Sequence, residues 1–193
     1  RLHISAEGSE NALLAELYRV YPTSSHALRS KGFIESELST ADAEKGASLA
    51  FALQCLPRAE RVCAPSISAW ASLLVDEIIE RLGAGEAPWR LHVFCRERPG
   101  SDVRERRCAL VAAVAIEALE KRRRKLARLR VPDGLVPWAE GESLVQLALE
   151  SPTEGFFSFA SADERHRLRR SMSRFSGGIV EIAEDKRPPS RAF

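Results

Sequence analysis

Seven cations crowd into eleven residues of this chain: Lys121, Arg122, Arg123, Arg124, Lys125, Arg128 and Arg130 all fall within EKRRRKLARLR, residues 120–130. Arginine supplies 24 of the 29 basic residues, and its planar guanidinium offers a fork of donors that fits phosphate oxygens two at a time. Cations at the end of a helix also offset its macrodipole, but two or three suffice for that. The surplus points to a phosphate backbone; the plain alternative is a solvated helix face. A second basic stretch holds Arg165, Arg169 and Arg170 beside His166, Arg167 and Arg174. Phe156, Phe157 and Phe159 lie just before it, as stacking faces for bases or as ordinary core.

Patterns for bond-making chemistry fail in turn. GAGEAP has Pro88 in the third glycine slot of a dinucleotide fingerprint and follows a helix where a strand is required, so it reads as a helix C-cap. His92 and Cys95 are three apart on an expected strand, which turns them to opposite faces and prevents shared metal ligation. His3, His26 and His166 stand apart from any Cys or Asp pattern, and no P-loop, G-x-S-x-G or H-E-x-x-H occurs. The expectation is no catalytic residue and no metal ligand within the chain. A small enzyme built from scattered carboxylates and Cys108 would need a perturbed thiol to stand. Cys55, Cys63, Cys95 and Cys108 match no C-x-x-C spacing, and free cytoplasmic thiols are expected.

The elements that must carry these residues follow from periodicity. Leu2 and Ile4 predict a short strand. Leu13, Leu14, Leu17, Tyr18 and Tyr21 then predict a helix stopped by Pro22. A strand is expected within 26–38 around FIESEL, a turn over 39–47, and a strand through the alternation of Leu49, Phe51, Leu53 and Cys55. Ser66 caps a helix with Ile67, Trp70, Leu74, Ile78 and Leu82 on one face, ended by Gly83. WRLHVFC reads as a strand covered on both faces. Asp102 and Glu105 open a helix expected to run to about Arg130, with Val111, Val114, Ala115 and Ala118 inward and the basic end leaving the core. SLVQLALES and GFFSFAS form a hairpin. A last helix (Leu168, Met172 and Phe175 inward, capped by Ser161 and Glu164) and a short strand, IVEI, close the chain. The result is α+β: mixed sheets with packed helices, divided near 57–66.

Composition agrees with a soluble globular protein of 193 residues, 45% hydrophobic and 29% charged. The longest apolar run, Cys108–Ile116, is too short to span a bilayer, and RLHISAEGSE has no secretory h-region. The opening Arg1, in place of Met, suggests a fragment or a processed chain. A net charge of +2 conceals an imbalance: nine basic and 12 acidic side chains in residues 1–92 give −3, while 20 and 15 in residues 93–193 give +5. The second half is where a polyanion would bind.

Its tail, DKRPPSRAF (residues 185–193), resembles the lead-in to FtsJ-like ribose 2′-O-methyltransferase domains, with Ser190, Arg191, Ala192 and Phe193 in the matching places. LAFALQCLP (49–57) and SISAWASLL (66–74) resemble the accessory region of the RlmM-type branch of that family. The resemblance implies a ferredoxin-like unit over 1–60 and a THUMP-like RNA-binding unit over 61–183. It also implies a linker over 184–193 that leads into a methyltransferase domain beyond Phe193. S-adenosylmethionine and the catalytic residues would belong to that domain. The expected partners are ribosomal RNA and the chain's own C-terminal domain, in the cytoplasm and without a membrane. A protein-interaction scaffold with solvated basic helices is the alternative.

Overall fold

The computed structural model describes residues 1–5, 8–43, 49–56, 58–83, 86–95, 102–132 and 142–161. The opening alternation forms β1 (Leu2–Ser5), and the helical spacing of Leu13 and Leu17 forms α1 (Glu10–Val20). The segment expected to hold one strand folds into two, β2 (Ser25–Ser30) and β3 (Phe33–Glu37). Between them Gly32 takes φ of 89°, a left-handed value that a residue without Cβ reaches at little cost. A short helix, α2 (Thr40–Ala43), occupies part of the expected turn, and β4 (Ala52–Leu56) follows. These strands pair antiparallel in the order β2-β3-β1-β4, the order of a ferredoxin-like sheet.

The second sheet begins with β5 (Glu60–Cys63), a strand the sequence reading assigned to the boundary because three of its four residues are polar or exposed. It continues through α3 (Ile67–Leu82), β6 (Trp89–Cys95), α4 (Asp102–Arg122), α5 (Arg124–Arg128), β7 (Ser143–Leu149) and β8 (Glu154–Ala160). Its order is β5-β8-β7-β6, with β6 and β7 parallel and the other pairs antiparallel. The mixed sheet and the helix crossover between β6 and β7 are what a parallel pair requires. Ser66 caps α3 by accepting a hydrogen bond from the Ala69 N–H at 3.1 Å. At the β7–β8 turn, a Cβ on Gly155 would lie 2.7 Å from the Ala148 carbonyl, so glycine is needed for the close approach. The last helix and IVEI strand expected from the sequence lie outside the described residues.

Strand alternation sorts the side chains into layers. Leu91 and Cys95 of β6, Val145, Leu147 and Leu149 of β7, and Phe157 of β8 pack under Trp70, Leu74 and Ile78 of α3 and Val111 and Leu119 of α4. The opposite faces of these strands carry Phe94, Ala148 and Phe156, which meet Leu2, Ile4, Phe33 and Leu56 of the first sheet. On the far side of the first sheet, Leu13, Leu17 and Tyr21 cover Ile34. The order is helix, sheet, sheet, helices, with the two sheets joined face to face through an apolar layer. Asp42 ties α2 to the end of α1: its carboxylate accepts from the Thr23 N–H at 3.2 Å and from both the Thr23 and Ser24 hydroxyls at 2.7 Å.

His3 is the cost of this arrangement. It alternates with Leu2 and Ile4, pairs across the sheet with Ile34 and Cys55, and is 1% exposed, with neither ring nitrogen hydrogen bonded among the described residues. Burial, reinforced by the nearby positive charge of Arg1, pushes its pKa down to about 3. An unfolded His3 takes up its proton near 6.5, so the folded state loses stability as pH falls from 6.5 towards 3. Each pH unit in that window costs about 1.4 kcal/mol. Urea unfolding of wild type and His3→Gln between pH 7 and 4 should show a shallower pH slope in the variant by that amount. Coincident slopes would mean that His3 titrates freely in the folded protein.

Candidate nucleic-acid interface

The basic segment is positioned by α4. Cys108, Val111, Ala115 and Leu119 are buried and spaced by three or four residues, so one stripe of the helix seats on α3 and the second sheet. This stripe is rotated slightly from the expected one: Val114 and Ala118 are half-buried on its flank. The expected straight helix to Arg130 is broken at Arg123, whose φ of −144° and ψ of 67° are not helical. The Arg123 N–H still donates to the Leu119 carbonyl at 2.7 Å, and its own carbonyl accepts from Ala127 at 3.0 Å, so α5 restarts at once.

The break redirects the segment. Rather than projecting into solvent, α5 docks on the edge strand: Leu126 is buried, and its carbonyl accepts from the Trp89 indole N–H at 2.9 Å. Trp89 then donates its backbone N–H to Leu129 at 3.2 Å and accepts from Val131 at 2.8 Å, forming a short bridge beside Arg130. Two apolar residues among the cations, Leu126 and Leu129, supply the reason. Burying a leucine side chain is worth about 1.5–3 kcal/mol, enough to pull a short helix back to the core.

Docking sorts the cations. Lys121 pairs with Glu117 at 2.6 Å, Arg122 with Asp76 of α3 at 2.7 Å, and Lys125 with Glu86 at 3.1 Å. All six groups are well exposed, and such pairs contribute little to stability. Arg123, Arg124 and Arg128 are exposed and have no carboxylate partner among the described residues, and Arg130 beside them is half-buried. Three exposed arginines therefore lie within six residues at one helix break. Arg165, Arg169 and Arg170 lie outside the described residues.

The phenylalanines serve the core. Phe157 is 1% exposed beneath the helices, Phe159 is half-buried beside it, and Phe156 stacks on Phe33 between the sheets with centroids 5.7 Å apart. Bases have no access to Phe156 and Phe157. His92 and Cys95 do lie on opposite faces of β6: the His92 ring stacks on Phe94 at 4.5 Å, while Cys95 joins the core under the helices. Among the described residues, no three of His, Cys, Asp and Glu are grouped to hold a metal ion.

The face of the second sheet that meets the first carries a polar row absent from the sequence reading. His92, Gln146 and Ser158 are cross-strand partners on β6, β7 and β8, all buried. Beside the row, Arg90 donates to Glu142 through Nε at 2.6 Å and Nη2 at 3.4 Å, with both side chains under 5% exposed. The only local signal for this was the strand's complete coverage, which leaves a charged Arg90 nowhere to go but to a buried anion. Its arrangement is a structural charge pair, and the surface cations remain the group suited to a ligand.

No family model matches the sequence, and no curated protein matches it. Among solved structures, one described as a possible methylase from Clostridium difficile 630 is similar over 86% of this chain and 42% of its own, with 14% identity and a TM-score of 0.49. Another, described as a predicted N6-adenine-specific DNA methylase from Listeria monocytogenes str. 4b F2365, is similar over 81% and 39%, with 13% identity and a TM-score of 0.49. The chain thus spans about two fifths of each. Likeness at this level does not transfer a function, since one fold serves many chemistries.

Proposed function

We propose that this chain is the RNA-binding accessory region of an S-adenosylmethionine-dependent methyltransferase that modifies ribose 2′-hydroxyls of ribosomal RNA, with the catalytic domain beyond Phe193. The observation that carries the binding half of this reading is the trio Arg123, Arg124 and Arg128, exposed at a helix break without carboxylate partners among the described residues. The methyltransferase half rests on the resemblance of residues 185–193 to the FtsJ-like lead-in. S-adenosylmethionine would belong to that domain; in this chain Gly83, the first glycine of GAGEAP, ends α3. The chain's own contribution is to hold phosphates on a surface fixed by α4 and the Trp89 contact.

Arg123→Glu, Arg124→Glu and Arg128→Glu combined should weaken binding to a structured ribosomal RNA fragment roughly 10–100-fold at low salt, and should make the plot of log affinity against log salt shallower by about two to three. The loss should be similar across RNA sequences, because phosphate contacts position without specifying. Lys121→Glu with Lys125→Glu, at cations already facing carboxylates, should have a smaller effect. Circular dichroism checks folding. Unchanged affinity and slope in the folded triple variant would favour the interaction-scaffold reading, which the three ion pairs of Lys121, Arg122 and Lys125 support.

A further inference from the structure

Cys95 closes β6 on the side facing the helices, and Cys108 lies in the second turn of α4. Both belong to the core beneath the helices, where they are 7% and 4% exposed, and their thiols share a hydrogen bond. We propose that Cys95 and Cys108 form a reversible disulfide that staples the end of β6 to α4 on exposure to a hydroperoxide. This is independent of the RNA-binding reading.

Two thiols in contact divide the work that disulfide formation needs. The hydrogen bond from Cys108 brings the Cys95 thiol down to about 7 despite its burial, with Arg104 favouring and Glu105 opposing the thiolate. Cys108 is pushed the other way, chiefly by the same hydrogen bond, and keeps its proton; Arg107 is the cation nearest in effect. Cys95 is therefore the nucleophile and Cys108 the resolving group. The Cys95 thiolate attacks one oxygen of hydrogen peroxide: an S–O bond forms, the O–O bond breaks, and the departing hydroxide takes a proton to become water. Cys108 sulfur then attacks the Cys95 sulfenic acid; the S–S bond forms, the S–O bond breaks, and the Cys108 proton leaves with the hydroxyl as a second water. Two thiols are oxidised by two electrons and one peroxide is reduced. Near-complete burial disfavours a bulky disulfide reagent, so the oxidant must be as small as hydrogen peroxide.

The other two cysteines act as internal controls. Cys55 is buried in the first sheet with its thiol raised by burial, and Cys63 is exposed on β5. Neither has a thiol partner among the described residues.

The test uses the reduced full chain, treated with equimolar hydrogen peroxide at neutral pH, then denatured, alkylated and mapped by mass spectrometry. The expected result is joint loss of Cys95 and Cys108 alkylation, a linked peptide pair, an intact mass lower by two hydrogens, and reversal by dithiothreitol, with Cys55 still alkylated. The oxidised chain should melt roughly 5–10 °C higher. In Cys108→Ser the same treatment should leave Cys95 as sulfenic or sulfinic acid; if that variant does not fold, the wild-type map decides alone. Cys95 and Cys108 both remaining alkylatable while Cys63 is oxidised, or a link through Cys63 between copies, would overturn the proposal.

Discussion

Glu142→Ala is expected to destabilise the protein by about 3–5 kcal/mol, the range for removing one partner of a buried ion pair. The variant removes the carboxylate from the Arg90 guanidinium, which is 1% exposed and also donates to the Pro132 carbonyl at 3.3 Å. Coulombic attraction is not what makes the loss large. Both ions were desolvated on folding, and the attraction largely offsets that cost; deleting one partner leaves the other's desolvation uncompensated. The double replacement Arg90→Met, Glu142→Leu should therefore regain most of the stability despite removing more contacts. Urea unfolding of the three variants at neutral pH measures this. A loss below about 1 kcal/mol in Glu142→Ala would mean that water or other acceptors satisfy Arg90 without the carboxylate.

The second large effect is expected at the junction of the two sheets. Phe156→Ala should cost about 3–5 kcal/mol, since the ring is 3% exposed and its removal leaves a cavity that two facing sheets cannot close. Phe33 lies across from it at a 22° interplanar angle, and a double-mutant cycle between the two should return a coupling of about 0.5–1.5 kcal/mol. Because the layer joins elements from both sheets, the unfolding transition should stay single in wild type and separate into two in the double variant. A cost under 1 kcal/mol, or a wild type that already melts in two steps, would show that the sheets are energetically independent.

Much of the scaffold was legible in the residues. The alternation of WRLHVFC, the capped stripe from Ser66 to Leu82 and the hairpin about SPTEG each carry their period within one segment, and each formed as read. Errors fell where a local pattern admitted two outcomes. Lys31–Gly32 sits inside one expected strand, although one glycine with a positive φ suffices to reverse the chain. ERVC was too short and polar to stand out from a linker. Cations outnumber apolar residues in the basic segment, which predicts a helix leaving the core, yet Leu126 and the Trp89 indole hold α5 down.

Sequence alone determined the α+β class, the buried stripe of α3, the alternation of β6 and the excess of arginine in the second half. These follow from side-chain geometry within a segment and from residue identity, which need no knowledge of distant neighbours. Tertiary structure alone decided which charges meet. Arg90 and Glu142 are 52 residues apart, and Arg122 and Asp76 are 46 apart. It also brought Cys95 onto Cys108 and left Arg123, Arg124 and Arg128 exposed. A charge, a thiol or an aromatic ring acquires its chemistry from what surrounds it. Those surroundings are assembled by strands and helices that periodicity can draw one at a time but cannot place against one another.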